Sequence, residues 1–331
     1  MPRIVRHDDP HLTWEGAISL QRPPDGTQAC RLPFERLALI PFDVLQTKAA
    51  NAAGVRIVFQ TDTRSIAIAF DGSGDGLSPL DVVCDGALVA TLPADGRERL
   101  QVDDLPAGTK RLELWLPHFG QFRLKTIEID DGASLARSVL PRKRWITYGS
   151  SISQCSAANS PTRTWPAIVA RTMDLDLTCL GFGGQCHLDP MLGKVIRDQP
   201  ADYISLCLGI NTHGGSLTPR TFQPAIIGLV TTIREKHPTT PLVVMSPILS
   251  PPRETEPNAA GWTLPVMREH VQEAVSRIKQ YGDDNLHYVN GLDIFGPDLV
   301  HLLPDALHPN DEGYGRMGAN FVEKVARRWF I

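Results

Sequence analysis

A chain of 331 residues is long enough for two domains, and a 42% hydrophobic content lets each bury its own core. A formal net charge of -4, with acidic and basic residues interspersed, leaves no extended basic face to neutralise phosphates and argues against a nucleic-acid partner. No stretch is apolar and long enough to span a bilayer, and MPRIVRHDDPHLTWEG holds no apolar run of signal-peptide length, so a soluble, cytoplasmic chain is expected; a secreted chain without its signal would read alike.

From about residue 14 to residue 130 short alternating apolar runs are separated by Gly, Pro and Asp, as in VRIVFQTDTRSIAIAFDG, LDVVCDGALVATLPADG and RLELWLPHFGQFRLKTIEID. This pattern predicts an antiparallel, jelly-roll-like β-sandwich domain over residues 1–140, with turns at Asp85-Gly86 and Asp95-Gly96 and no amphipathic helix. Trp14, Trp115 and Phe119 are expected in its core, since none sits in a recognisable sugar-stacking motif.

The pattern changes at Trp145, where strand-like runs begin to alternate with segments of helical period, as in a parallel sheet flanked by helices. The expectation for residues 141–331 is an α/β domain with a five-stranded parallel sheet: WITYG, LDLTCLG, YISLCLGI, LVVMSPI and HYVNGLDIF. Helices are expected around 164–173, 189–198, 219–236, 262–281 and 311–329. Ligands of such sheets sit outside the carboxyl ends of the strands, so the loops there should carry the chemistry, and the Pro-rich loop from Pro247 could border the site. The six cysteines lack any CxxC pair and read as buried thiols.

The first α/β strand runs into Tyr148-Gly149-Ser150-Ser151-Ile152-Ser153, where small residues allow a sharp turn that could present a hydroxyl, though it is not a GxSxG elbow. After the last strand comes Leu303-Pro304-Asp305-Ala306-Leu307-His308-Pro309. With a spacing of three, a buried Asp305 could hold one imidazole nitrogen of His308 and leave the other for a serine; Asp305 could equally be a helix cap beside an exposed His. Gly184 and Asn211 follow the second and third strands and could donate to an oxyanion, or be ordinary turn residues. His187 and His213 lie in the same loops without Cys or Glu at ligand spacing, so they read as pocket lining and no metal is expected. Arg163, His213 and Trp262 are candidate substrate contacts, and His237 and His270 are expected at the surface.

In order, YGSSIS, LGFGGQC, GIN and DALHP resemble the four blocks of the SGNH hydrolases, the GDSL esterase family, over roughly residues 144–331. The resemblance implies a flavodoxin-like sheet, Ser151 as nucleophile, His308 as general base, Asp305 as its orienter, and an oxyanion hole of Ser151 N–H, Gly184 and Asn211. Ser150 stands where the family most often has Asp, and Thr212 and His213 follow Asn211 where Asp is usual. Those Asp residues mainly support loop structure in the family, so the departures suggest a divergent subgroup. A β-sandwich ahead of such a domain is similar to some two-domain carbohydrate acetylesterases. The implied function is a serine esterase that removes short acyl groups, foremost acetyl, from a carbohydrate or small metabolite through an acyl-enzyme, without cofactor. The same site could serve an acyltransferase, lactonase or thioesterase, or persist in an inactive glycan- or metabolite-binding protein.

Overall fold

In a computed structural model that describes residues 1–331 apart from Asp75, the chain forms two compact units, residues 1–142 with 159–162, and residues 143–158 with 163–331. No helix among the described residues is long and apolar enough to cross a membrane.

The alternating segments of the first unit fold as strands β1 (Arg3–Arg6), β2 (Thr13–Glu15), β3 (Ser19–Gln21), β4 (Thr27–Cys30), β5 (Arg56–Thr61), β6 (Ile66–Ser73), β7 (Leu80–Cys84), β8 (Ala87–Leu92), β9 (Arg99–Val102), β10 (Lys110–Trp115), β11 (Gln121–Ile129) and β12 (Leu135–Ala136). One antiparallel sheet runs β3-β4-β11-β6-β9, with β1 also paired to β11; the other runs β12-β5-β10-β7-β8, with β2 paired to β5. Period-two side chains such as Ile57, Phe59, Ile68, Phe70, Val82, Leu112, Leu114 and Phe122 form the core, and the Phe70 and Phe122 rings stack with centroids 4.8 Å apart. Asp85 and Gly86, both at positive φ, turn the β7–β8 hairpin. Trp115 is buried and Trp14 packs against the core.

Two features of this unit differ from the expectation. Asp43–Ala49 forms a helix (α1), with Leu45 and Ala49 buried one turn apart, and Arg31 donates to the carbonyls of Lys48 and Asn51 at its end. Seven residues are too few for a helical period to stand out of a β-rich stretch. The fully buried Asp81 carboxylate accepts from Thr91 Oγ1 (2.6 Å), Ser160 Oγ (2.7 Å), and both Thr162 N (2.9 Å) and Oγ1 (2.6 Å), which places residues 159–162 in this unit.

The second unit has five parallel strands, β13 (Lys143–Gly149), β14 (Leu175–Gly181), β15 (Tyr203–Cys207), β16 (Leu242–Met245) and β17 (Leu286–Val289), in the order β14-β13-β15-β16-β17. This flavodoxin-like order puts the topological switch at β13, between β14 and β15. Helices α2 (Ser151–Gln154), α3 (Trp165–Thr172), α4 (Pro190–Asp198), α5 (Pro219–Arg234), α6 (Pro251–Thr255), α7 (Leu264–Lys279), α8 (Gly291–Ile294) and α9 (Asp311–Phe321) complete it. The last strand is shorter than HYVNGLDIF: Asn290 caps α8 through its side chain, bonded to Leu292 N, so GLDI is helical.

The contact that positions the site lies at the end of β13. Gly149 and Gly181 are register partners, and a Cβ on Gly181 would overlap the backbone of Ser153 and Gln154, while one on Gly149 would overlap the Ser153 side chain. Helix α2 can therefore leave the strand at once and lie flat on the sheet end only because both positions are glycine. Gly181→Ala is expected to destabilise the chain by about 1–3 kcal/mol, the range for overpacking a closed site, read as a lower midpoint in urea unfolding with an unchanged slope. A wild-type midpoint would show that α2 has room to move.

Candidate active site

Ser151, Gly184 and Asn211 each stand just past the carboxyl end of a strand, and the Asp305–His308 loop follows β17 after α8. Ser150 is the N-cap of α2, its hydroxyl accepting from Ile152 N (3.2 Å), so Ser151 occupies the first helical position with its hydroxyl outward. Ser151 Oγ lies 2.8 Å from His308 Nε2, and His308 Nδ1 lies 2.6 Å from Asp305 Oδ2. An ionised carboxylate only accepts, so Nδ1 is the protonated nitrogen and Nε2 accepts from the Ser151 hydroxyl.

Asp305 combines the two roles that its spacing left open. Oδ1 accepts from the backbone N–H of Leu307 (3.0 Å) and His308 (2.7 Å), while Oδ2 takes the ring. Contrary to the expectation of a buried carboxylate, the Asp305 side chain is 54% exposed and that of His308 26%. Partial burial pushes the Asp305 carboxyl up, but the bonds from the His308 ring and the two backbone donors outweigh it and hold it at about 2.

The oxyanion candidates are gathered by a separate set of bonds. Phe182 N donates to Gly149 O (2.9 Å) and Gly183 N to the Gln154 side-chain carbonyl (2.8 Å), tying the glycine loop to the serine turn. Asn211 Oδ1 accepts from Cys186 N (2.9 Å), which orients the amide and leaves Nδ2 as its free donor. Among the described residues neither Asn211 Nδ2 nor the N–H of Gly184 has an acceptor, and Ser151 N–H is a helix-start donor. Thr212, where the family usually has Asp, is buried and donates to Gly209 O (2.8 Å).

Other candidates separate. His187 is held by Ser216 Oγ (2.7 Å) and Gly184 O (2.9 Å), and His213 stands two residues past Asn211. Arg163 is paired with Asp311 at the start of α9, Nε to Oδ2 2.7 Å, and braces the segment following His308. Trp262 is corrected to core: it is 2% exposed, edge-on to Phe222 and tilted against His270, which leaves no indole surface for a substrate. His237, expected at the surface, is buried, because α5 ends with its last turn packed inward and Arg234 donates to the His237 carbonyl. The six cysteines form no disulfide; burial pushes Cys207 up to about 12 and Cys155 and Cys186 well above the usual range, so these three stay protonated thiols.

The Pro-rich loop after β16 does border the site. Ser250 Oγ donates to Ala306 O (2.8 Å), within the Asp305–His308 loop, and Arg268 fixes the Pro-rich loop by donating to Pro247 O (2.9 Å), Ile248 O (3.1 Å) and both oxygens of Glu254 (2.7 Å each). Gln154, Ser250 and the Arg268–Glu254 pair carry no local signal in the sequence, because these contacts join residues well separated along the chain.

A Ser–His–Asp relay beside backbone and amide donors, at the switch point of a flavodoxin-like sheet, defines a serine hydrolase of the SGNH type. The chain belongs to the GDSL-like lipase/acylhydrolase family, whose profile matches residues 142–327, and is a carboxylic ester hydrolase. A second profile, the N-terminal domain of SsfX3, matches residues 12–125. The structure is similar to the salicylyl-acyltransferase SsfX3 from a tetracycline biosynthetic pathway, with 35% identity, 99% of this chain and 97% of that one covered, and a TM-score of 0.92. It shares its fold with a GDSL-like lipase structure from Bacteroides ovatus (20% identity, 99% and 98% covered, TM-score 0.82). An active-site mutant of a family two carbohydrate esterase from Clostridium thermocellum is also similar in fold (14%, 97% and 100%, TM-score 0.70). No curated protein matches the chain significantly.

Because Asp305 is held below its ordinary value of 3.8, its contribution to stability is present above that pH and is lost as the pH falls through about 2. A carboxyl-carbon NMR titration should place its midpoint near 2, and a midpoint near 4 would contradict the bonding described. Asp305→Asn keeps an oxygen for the loop N–H groups but loses the charge on the ring, so its activity should fall far more than its stability. Asp305→Ala should lose about 1 kcal/mol of stability as well, as for a lost cap.

Proposed function

We propose that this protein is a serine esterase that cleaves short-chain acyl esters, foremost acetyl esters, of a carbohydrate or small metabolite through an acyl-enzyme. The observation that carries the reading is the unbroken relay from Ser151 Oγ through His308 to Asp305. In this mechanism His308 Nε2 takes the Ser151 proton as Oγ attacks the ester carbonyl, and the oxyanion is held by Ser151 N–H, Gly184 N–H and Asn211 Nδ2. The imidazolium, stabilised by Asp305, returns its proton to the departing alcohol. Water, deprotonated by the same imidazole, then attacks the acyl-enzyme, and collapse releases the acid and Ser151. The short-acyl preference is supported by the two-domain fold shared with carbohydrate esterases, a likeness of architecture alone.

A second reading, acyl transfer to an acceptor other than water, is favoured by the 35% identity to an acyltransferase over nearly the whole chain. It uses the same first half-reaction and differs only in what attacks the acyl-enzyme.

Hydrolysis of p-nitrophenyl esters from acetate to decanoate by wild type and Ser151→Ala tests both. The esterase reading expects an optimum at the shortest acyl groups and a fall of at least roughly three orders of magnitude in the variant. Undiminished turnover by Ser151→Ala removes the assignment of the nucleophile, and an optimum at decanoate removes the short-acyl preference. Formation of a new ester in excess of free acid, when an alcohol acceptor is added, establishes transfer.

A further inference from the structure

Arg253 stands on α6, in the loop after β16, and its guanidinium has an unusual setting. It is half-buried, and the bond from NH1 to Ser250 Oγ (3.0 Å) is its one hydrogen bond among the described residues. Ser250 Oγ in turn donates to the carbonyl of Ala306, between Asp305 and His308, so the guanidinium is two hydrogen bonds from the loop that holds the imidazole. The neighbouring carboxylate, Glu254, is fully engaged by Arg268, and no carboxylate among the described residues pairs with Arg253.

The loop after β15 meets the same place. Asn258, a few residues beyond Arg253, donates its side-chain amide to the carbonyl of His213, and caps Ala260 N and Trp262 N with its oxygen. His213 Nε2 is buried and has no hydrogen-bond partner among the described residues. Burial, and then the nearby charge of Arg253, push His213 down, so it is neutral at pH 7 and Arg253 is the cation of this wall. A half-buried arginine without a counter-ion has donors that lack an acceptor, and the neutral His213 ring beside it adds no competing charge.

We propose that Arg253, with His213 beside it, forms a carboxylate subsite next to Ser151, and that the preferred substrates are esters that carry a carboxylate close to the scissile bond. The planar fork of an arginine suits that group, and the carboxylate takes no part in bond making; it fixes the ester's position. The proposal rests on the ester-hydrolase reading of Ser151 and names the substrate class for it.

The carboxylate could belong to the acyl or the alcohol part, and two pairs of probes separate these. Mono-p-nitrophenyl succinate against its methyl ester reads the acyl side, and 3-acetoxybenzoate against its methyl ester reads the alcohol side. For one pair, wild type should favour the acid by about tenfold or more in kcat/KM, the size of one charge-assisted hydrogen bond. Arg253→Gln should lose that preference and Arg253→Lys should keep part of it. An acid preference unchanged in Arg253→Gln, or no acid preference by wild type in either pair, overturns the proposal. Titration calorimetry of Ser151→Ala, with and without Arg253→Gln, keeps the two readings apart: if no ester is turned over, the hydrolase reading fails. The subsite then stands only if the succinate and acetoxybenzoate probes bind several-fold more weakly without Arg253.

Discussion

The placement of Ser151 depends on two missing methyl groups. A helix that leaves a strand without an intervening loop must cross the neighbouring strand's end at backbone contact distance, and only glycine at 149 and 181 permits this. A helix of four residues has almost no stability of its own, so tertiary bonds must hold it. They do so from three sides: Ser150 caps its start, Trp165 Nε1 donates to Ile152 O (3.0 Å), and Gln154 accepts from Gly183 N. The last of these also fixes the loop of Gly184, so Ser151 and that loop are positioned by the same four residues.

The other half of the site follows a different principle. Asp305 is more than half exposed, and the burial it has pushes its carboxyl up rather than keeping it ionised. Its charge is instead kept by three donors, two of them backbone N–H groups of its own loop, which means that the loop's conformation and the imidazole's tautomer are set by one carboxylate. An exposed pair of this kind is screened by solvent and contributes little to global stability. The loop is consequently braced from outside, by Ser250 on the Ala306 carbonyl and by Arg163 on Asp311.

The strands of the parallel sheet were legible because each is a short apolar run, and β13, β14 and β15 carry their chemical blocks directly after their carboxyl ends, whereas the Asp305–His308 block follows β17 only after α8 and a short 3-10 turn. Asp305 resisted an unambiguous reading because capping and orienting use the same spacing and here the same side chain. Elsewhere the sequence misleads where burial is decided by distant partners. The alternation RLELW does not show that Arg111 and Glu113 are buried, yet both are, paired with Glu15 and Arg142 in a charged layer on β10 that also holds Arg56. Trp262 and His237 were placed at the surface or the pocket by their position at helix ends, and tertiary packing buries both. Arg253 had no signal at all, since what sets it apart is that Arg268 has taken the acid beside it.

Hydrolysis and acyl transfer are closer than two enzyme names suggest, because the acyl-enzyme is common to both and the relay does not choose its attacker. A transferase must keep water from an ester that hydrolyses readily, and this requires a closed site or an acceptor that closes it. With Asp305 54% exposed and the His308 side chain partly so, the imidazole is reachable by water. In a transferase built on this site, exclusion of water would therefore have to come from the bound acceptor. An acceptor could exclude water only if it is held firmly beside Ser151, which makes the polar groups on the loops after β15 and β16 as decisive for the reaction's course as the relay itself.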